Sequence, residues 1–322
     1  MILTLVTGGT GFIGSKIVRR LLKGRESVRV LSRHPKIIHP RLRTPGTEFV
    51  RGDIFDEQSL TQAMTGCDAL IIATQFRNAP FENPCRGLTY MKVDGEGTER
   101  LVKFAKEAGI KRIVYMSGAG TREGRVEPWF QAKARAEKAV RDSETNWTIF
   151  RPSWSYGPSD RSLNRFAGFA RLFPWIPFFF FVPIVGTGRQ KIQPVFVEDV
   201  AEAVALSLNN PNTYGKILEI GGPQQLTMTE VVKTMLRVMG KRRMIIRLPK
   251  TSMKLVAGLV QFLPGRLLTP SGVDFITMEE HVDNAVVTQT LGLSPVSLEV
   301  GLGTYLGRKD ASSFEAFRRR AA

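Results

Sequence analysis

Gly8, Gly11 and Gly14, in the string Thr7-Gly8-Gly9-Thr10-Gly11-Phe12-Ile13-Gly14, have the spacing that lets a backbone wrap a diphosphate. Gly8 permits a tight turn, Gly11 lets the main chain approach phosphate oxygens without a Cβ, and Gly14 allows close helix packing. The apolar run Ile2 to Thr7 precedes the string and an amphipathic stretch follows it. The turn therefore hands a strand over to a helix, whose free N–H groups and positive end face the anion. Candidate contacts here are Thr7, Gly8, Thr10, Gly11, Phe12, Ile13 and Gly14.

A site that takes NAD usually carries an acidic residue at the end of its second strand, to bind the adenosine ribose. This chain instead reads Leu31-Ser32-Arg33-His34-Pro35-Lys36. Arg33 can pair with a 2′-phosphate and Ser32 can donate to it, which favours NADP(H) and leaves NAD(H) as the alternative. Asp53 and Ile54, after the third strand, are placed to border the adenine; Asp53 could instead cap the following turn. Ala73 and Thr74, closing the fourth strand, complete this part of the candidate set.

Positioning these residues requires alternating strands and helices. The strand candidates are Ile2 to Thr7, Val28 to Ser32, Glu48 to Gly52, Ala69 to Ala73, Arg112 to Ser117 and Trp147 to Arg151. Amphipathic stretches lie between them, the pattern of an α/β fold with a doubly wound parallel sheet of the Rossmann type. In the first helix Ile13, Ile17, Val18, Leu21 and Leu22 share a face, while Lys16, Arg19, Arg20 and Lys23 are expected on the others. A second helix is expected from Gly97 to Ala108. Beyond Arg151 prolines and aromatic residues increase, so residues 1–152 read as the nucleotide-binding domain. The remainder reads as a smaller lobe from which 195–222 return to the first domain, and Thr227 with Glu230 marks a capping box.

The 322 residues, 43% of them hydrophobic, can bury a substantial core. Cys67 and Cys85 are too few for a disulfide framework and lack metal-ligand spacing, which fits a reducing compartment; no metal is expected. With a strand beginning at Ile2, no secretory signal is expected ahead of the fold, and the location reads as cytoplasmic. The net charge of +17 draws phosphorylated cofactors, anionic membranes or nucleic acid.

Taken with Arg51-Gly52-Asp53, Tyr115-Met116-Ser117-Gly118-Ala119, Arg151-Pro152-Ser153-Trp154-Ser155-Tyr156-Gly157-Pro158 and Val197-Glu198-Asp199-Val200-Ala201, the glycine string resembles the extended and atypical short-chain dehydrogenases/reductases. Within them the chain is similar to the group of the complex I 39 kDa accessory subunit and of bacterial NAD-dependent epimerase/dehydratases. Catalytic members use a Ser and a Tyr-x-x-x-Lys pair: Tyr as acid/base, Lys to lower its pKa and hold the ribose, Ser to orient the carbonyl. The resemblance implies these roles for Ser117 and Lys133, and a nicotinamide-end contact for Pro152 and Ser153. Trp129 stands where the Tyr would be, and Asp94 replaces an asparagine of the preceding helix. An indole N–H cannot exchange a proton near neutral pH as a phenol does. Tyr90 or Tyr156 could bring a phenol from another direction, although packing is the commoner role, and Asp199 reads as an N-cap.

The run Leu172 to Val185, with four consecutive phenylalanines, is too short and proline-broken to span a bilayer. It is either a plug between lobes or, with Arg165, Arg171, Arg189 and Lys191 nearby, a face for an anionic membrane or an entry for an isoprenoid-type substrate. Lys250 to Leu268 has the same two readings, buried helix or membrane face. The expected function is therefore an NADP(H)-binding protein whose cofactor serves structurally, as a sensor or as a redox accessory, beside a membrane redox enzyme or on the membrane's inner face. The alternative is an active oxidoreductase or epimerase on an apolar substrate. Nucleic acid is the least favoured partner, because the basic residues are scattered and no recognition motif accompanies them.

Overall fold

Leu5 and Val6 are wholly buried, because the strand that carries them is covered on both faces and has a neighbour on each side. The computed structural model describes residues 2–35, 42, 44–77, 79, 81–160, 162–172, 181–260, 269–279 and 281–307. Its main sheet consists of Leu3–Thr7 (β1), Ser27–Ser32 (β2), Thr47–Arg51 (β3), Ala69–Ile72 (β4), Arg112–Met116 (β5), Asn146–Pro152 (β6) and the edge strand Lys216–Ile220. All pairings are parallel, and β1 lies between β2 and β4 with β3 outside β2 and β5, β6 and the edge strand outside β4. This is the Rossmann-type doubly wound sheet. Thr7 is level with Leu31 on one side and Ile72 on the other, so the carboxyl ends of β1, β2 and β4 open at a common level where the strand order reverses.

The chain divides into two compact units, the first made of Met1–Pro152, Val197–Ile220 and Asp283–Leu293. The last of these segments is not anticipated by the sequence reading. Its helix, Ala285–Leu291, packs on the edge strand and on the helix Val197–Leu208.

Four helices position the first unit's candidate residues: Phe12–Lys23 (α1), Glu57–Met64 (α2), Gly97–Glu107 (α3) and Pro128–Arg141 (α4). Ile17, Val18 and Leu21 of α1 are buried, following the apolar periodicity. Lys16, expected away from the apolar face, is also buried. The helix Val197–Leu208 packs across α1, where Lys16 meets Glu198 at 3.1 Å and Arg20 holds Glu202 through two hydrogen bonds of 2.5 and 2.8 Å. Both partners are spaced i,i+4, so the two helices are laced by a matched charge ladder. A π-helical turn, Met91–Glu96, leads into α3.

The second unit comprises Ser153–Phe196, Gly221–Val282 and the chain from Ser294 onward. Its core gathers Tyr156, Phe196, Val231, Met235, Leu298 and Leu302. Phe181–Val185 runs parallel to Met244–Leu248, and the helix Met228–Val238 begins with the expected reciprocal capping box between Thr227 and Glu230. Residues 173–180, the centre of the aromatic run, and the basic C-terminal tail lie outside the described residues. Of the stretch Lys250 to Leu268, the described helix Lys250–Val260 buries only Ala257, and Leu255, Val256 and Leu259 are exposed. Among the described residues, no helix is long and apolar enough to cross a membrane.

Candidate functional site

The glycine turn is closed by the Gly11 N–H donating to the Gly8 carbonyl at 2.8 Å. Gly8 has φ +71°, and a Cβ on it would lie 2.4 Å from the Ala73 carbonyl oxygen, so Ala73 and Thr74 form a wall against the turn. A Cβ on Gly14 would lie 2.2 Å from the Gly8 carbonyl oxygen, which makes α1 and the turn inseparable from glycine at that position. Gly11 is the N-cap of α1 and has no side chain to occupy the first-turn N–H groups, and the first turn carries no acidic residue. Amides left open at a positive helix end are the donor set a diphosphate requires, so this cradle fits a dinucleotide.

Beyond the carboxyl ends of β2 and β3 an open hollow of about 560 Å³ is lined by Arg33, His34, Arg51, Asp53 and Ser59, among others. Arg33 and Arg51 are both exposed, and Arg51 enters because β3 places it level with Ser32. Ser32 Oγ accepts from the His34 N–H at 3.3 Å, and Asp53 Oδ1 accepts from the Phe55 N–H at 2.9 Å. Asp53 thus caps its own turn while also lining the hollow. Ile54 points the other way, onto the start of α3, 2.6 Å from where a Gly97 Cβ would stand.

Trp129, Lys133 and Glu137 repeat every four residues along α4 and share one stripe, on which Trp129 and Glu137 are buried and Lys133 is half-buried. The Lys133 stem runs past Gly118 to an ammonium 6.0 Å over the Tyr115 ring. Its Nζ is buried and has no hydrogen-bond partner among the described residues. Burial lowers the Lys133 pKa, and the charges of Asp94 and then Glu137 oppose that. A buried ammonium without acceptors is costly, and vicinal ribose hydroxyls are the kind of group that would supply them. The residues at this end therefore also fit the cofactor.

Ser117 is 1% exposed, and its hydroxyl donates to Glu137 Oε1 at 2.5 Å. Glu137 also accepts from Arg151 at 2.9 and 2.7 Å, so the hydroxyl is tied into an ion pair linking α4 to β6. Trp129 is edge-on to Tyr90 at 6.1 Å, with Phe76 4.9 Å beyond Tyr90, an aromatic wall where the phenol of a reductase would be sought. Burial, then the charges of Asp94 and Glu82, push the Tyr90 phenol upward, away from use as an acid near neutrality.

Asp94 lies in the π-helical turn, is buried, and accepts from the Phe76 N–H at 2.5 Å. Burial raises its pKa to about 6 against the opposing effects of Lys133 and that hydrogen bond. Pro152 closes the first unit and Ser153 opens the second, where both Ser153 and Tyr156 are buried. The Tyr156 hydroxyl donates to the Ser297 carbonyl at 3.3 Å and its ring fills the space beside Gly301, a packing role. Asp199 is a buried member of the first turn of its helix and not the N-cap, because that helix already starts at Val197. Glu137, Arg151 and Arg51 were missed as site residues. A glutamate on the apolar stripe of α4 was the available signal for Glu137.

Residues 8–165 match the family model for NAD(P)H-binding domains. The chain thus carries an NAD(P)H-binding domain and is similar to extended short-chain dehydrogenases/reductases. It is 29% identical, over 92% of its length and 75% of the relative's, to the mitochondrial NADH dehydrogenase [ubiquinone] 1 alpha subcomplex subunit 9 of Arabidopsis thaliana. It is 27% identical to the ceramide reductase of Caulobacter vibrioides, over 83% of its own length and 80% of that protein. In fold it is similar to a UDP-glucose 4-epimerase from Thermotoga maritima, with a TM-score of 0.72 and 20% identity over the whole of both chains. It is thus an NAD(P)-binding, oxidoreductase-like protein, homologous to the complex I 39 kDa subunit.

Proposed function

We propose that the protein binds NADP(H) and holds it as a structural, sensing or redox-accessory group, beside a membrane redox enzyme. The observation that carries this reading is Trp129, which fills the position of the proton-exchanging phenol four residues before Lys133, whose buried ammonium has no acceptor among the described residues. The ribose-binding cation is retained and the proton donor is absent. The engagement of Ser117 by Glu137 acts in the same direction, since that hydroxyl is already spent on a buried carboxylate.

The open amides of α1 would hold the diphosphate, Arg33 and Arg51 a 2′-phosphate, and Lys133 the nicotinamide ribose. Bound nicotinamide supplies a two-electron hydride carrier. Two arginines lining the hollow, with no acidic residue ending β2, favour NADP(H) over NAD(H). The relationship to a complex I subunit favours the accessory role.

A second reading, an active reductase of an apolar carbonyl, is favoured by the ceramide reductase relationship. Hydride transfer depends on orientation more than on one particular acid. The two readings separate on the nucleotide that copurifies with the protein. NADPH that stays bound and is not oxidised by quinones or enones fits the accessory role, whereas stoichiometric consumption and release would replace it with the reductase.

A further inference from the structure

Arginines also converge in the first unit at a place that takes no part in the cofactor contacts above. A hollow of about 350 Å³ is lined by Arg122, Glu123, Ala134, Glu137, Arg141 and Arg151. Ala134, Glu137 and Arg141 are spaced three and four residues apart on α4 and so share a face, and Arg151 comes from β6. Arg122 and Glu123 come from the loop that joins β5 to α4. Buried Thr121 fixes that loop, its hydroxyl donating to the Gly118 carbonyl at 2.7 Å. The volume is that of a small-molecule site, and the lining is charged.

The three guanidiniums differ in how firmly they are held. Arg151 is anchored by two hydrogen bonds to Glu137, of 2.9 and 2.7 Å. Arg141 meets Glu123 at 3.4 Å, and the Glu123 side chain is 82% exposed. A solvent-exposed pair of this kind contributes little and opens readily. The Arg122 guanidinium makes no hydrogen bond or ion pair among the described residues. Neighbouring arginines are occupied, Arg125 by two hydrogen bonds to Glu127 and Arg135 by two to Glu99.

The hollow therefore holds one guanidinium without a partner and a second whose partner is a loosely held carboxylate. Once Glu123 turns out into solvent, two cations remain for one ligand. A doubly charged oxyanion matches both their charge and the planar fork of their donors. A phosphate monoester, largely dianionic at neutral pH, has that charge and offers three acceptor oxygens.

We propose that this hollow is a further anion site, in which the phosphate of a small phosphomonoester binds between Arg122 and Arg141 and displaces the Glu123 carboxylate. Arg151 stays paired with Glu137, so binding leaves the tie between α4 and β6 intact. The site uses neither the glycine turn nor Lys133 and stands independently of the cofactor reading.

Calorimetry with phenyl phosphate tests this, with dimethyl phosphate as the singly charged control. The wild type is expected to bind phenyl phosphate at millimolar concentration and dimethyl phosphate far more weakly. Arg122→Gln and Arg141→Gln are each expected to weaken phenyl phosphate about tenfold, the effect of losing a hydrogen bond to a charged group. Glu123→Gln removes the competing carboxylate and is expected to tighten binding several-fold. Glu48→Gln makes the same change in net charge on β3, with four strands between it and β6, and is expected to have no effect. All of these residues are exposed, so the variants are expected to fold.

A wild type that does not bind phenyl phosphate overturns the proposal, and so does wild-type affinity in Arg122→Gln. Equal tightening by Glu48→Gln and Glu123→Gln would make the attraction a property of the whole basic surface and would also overturn it. Loss of binding in the double variant Arg33→Gln with Arg51→Gln would place the phosphate at the ends of β2 and β3, with the same consequence.

Discussion

In the proposed cofactor reading, Lys133 is a side chain that serves binding at the expense of stability. Its ammonium is buried without a hydrogen-bond partner among the described residues, a costly arrangement when no ligand is present. Lys133→Met keeps most of the aliphatic stem and removes the charge. NADPH affinity is expected to fall by roughly 10- to 100-fold, the effect of losing charge-assisted hydrogen bonds worth about 1.5–3 kcal/mol. The melting temperature of the ligand-free protein is expected to hold or rise, because an unsatisfied cation has been removed. Calorimetry together with thermal denaturation checks both, and a large loss of apo stability would mean that Lys133 is part of the structural frame instead. Trp129 supplies the other half of the residue-scale account, since an indole fills the volume of the missing phenol and adds to the aromatic wall without bringing an exchangeable proton.

At the scale of elements, α4 is the hub. Its apolar residues Ala132, Ala136 and Val140 seat it on the sheet, which fixes the direction of the stripe formed by Trp129, Lys133 and Glu137. Glu137 ties that stripe to β6 through Arg151 and to the end of β5 through Ser117. Glu137→Ala would leave the Arg151 guanidinium in place with, among the described residues, only the 3.9 Å contact to Glu219. A destabilisation of about 3 kcal/mol is expected, the lower end for breaking a buried pair on one side. Urea denaturation measures it, and a change below ~1 kcal/mol would show that solvent already satisfies Arg151. Double replacement, Glu137→Met with Arg151→Met, is expected to recover much of the loss, as apolar isosteres of buried ion pairs commonly do.

For the whole molecule, charge and exposed apolar surface are the properties that matter. A net charge of +17 steers the protein toward anionic surfaces, and Leu255, Val256 and Leu259 lie exposed on one helix of the second unit. Peripheral membrane binding through that helix predicts flotation with anionic vesicles that weakens as salt is raised and is lost with Leu255→Ser and Leu259→Ser together. Neutral vesicles are expected to bind far less. Equal flotation of the serine variant would leave electrostatics as the whole attraction and remove any role for the apolar face. The charge also has an internal use, because the ladder of Lys16 and Arg20 against Glu198 and Glu202 spends two of the basic residues on holding α1 in place.

The sequence by itself determined the sheet and the glycine turn, because each is written in local signals: strand-length apolar runs and a three-glycine spacing. It also displayed Trp129 in the place of a phenol, since that signal is a spacing of four along one helix. Other features were decided only by the tertiary structure. The return of Asp283–Leu293 to the first unit, the burial of Lys16 and the capture of Ser117 by Glu137 all join residues far apart in the chain. Whether a charged side chain is solvated or buried depends on which element is laid across it, and periodicity within one element carries no information about its neighbour. Asp94 makes the same point: as a residue it is an ordinary carboxylate, and only the fold buries it, in a π-helical turn packed against α4.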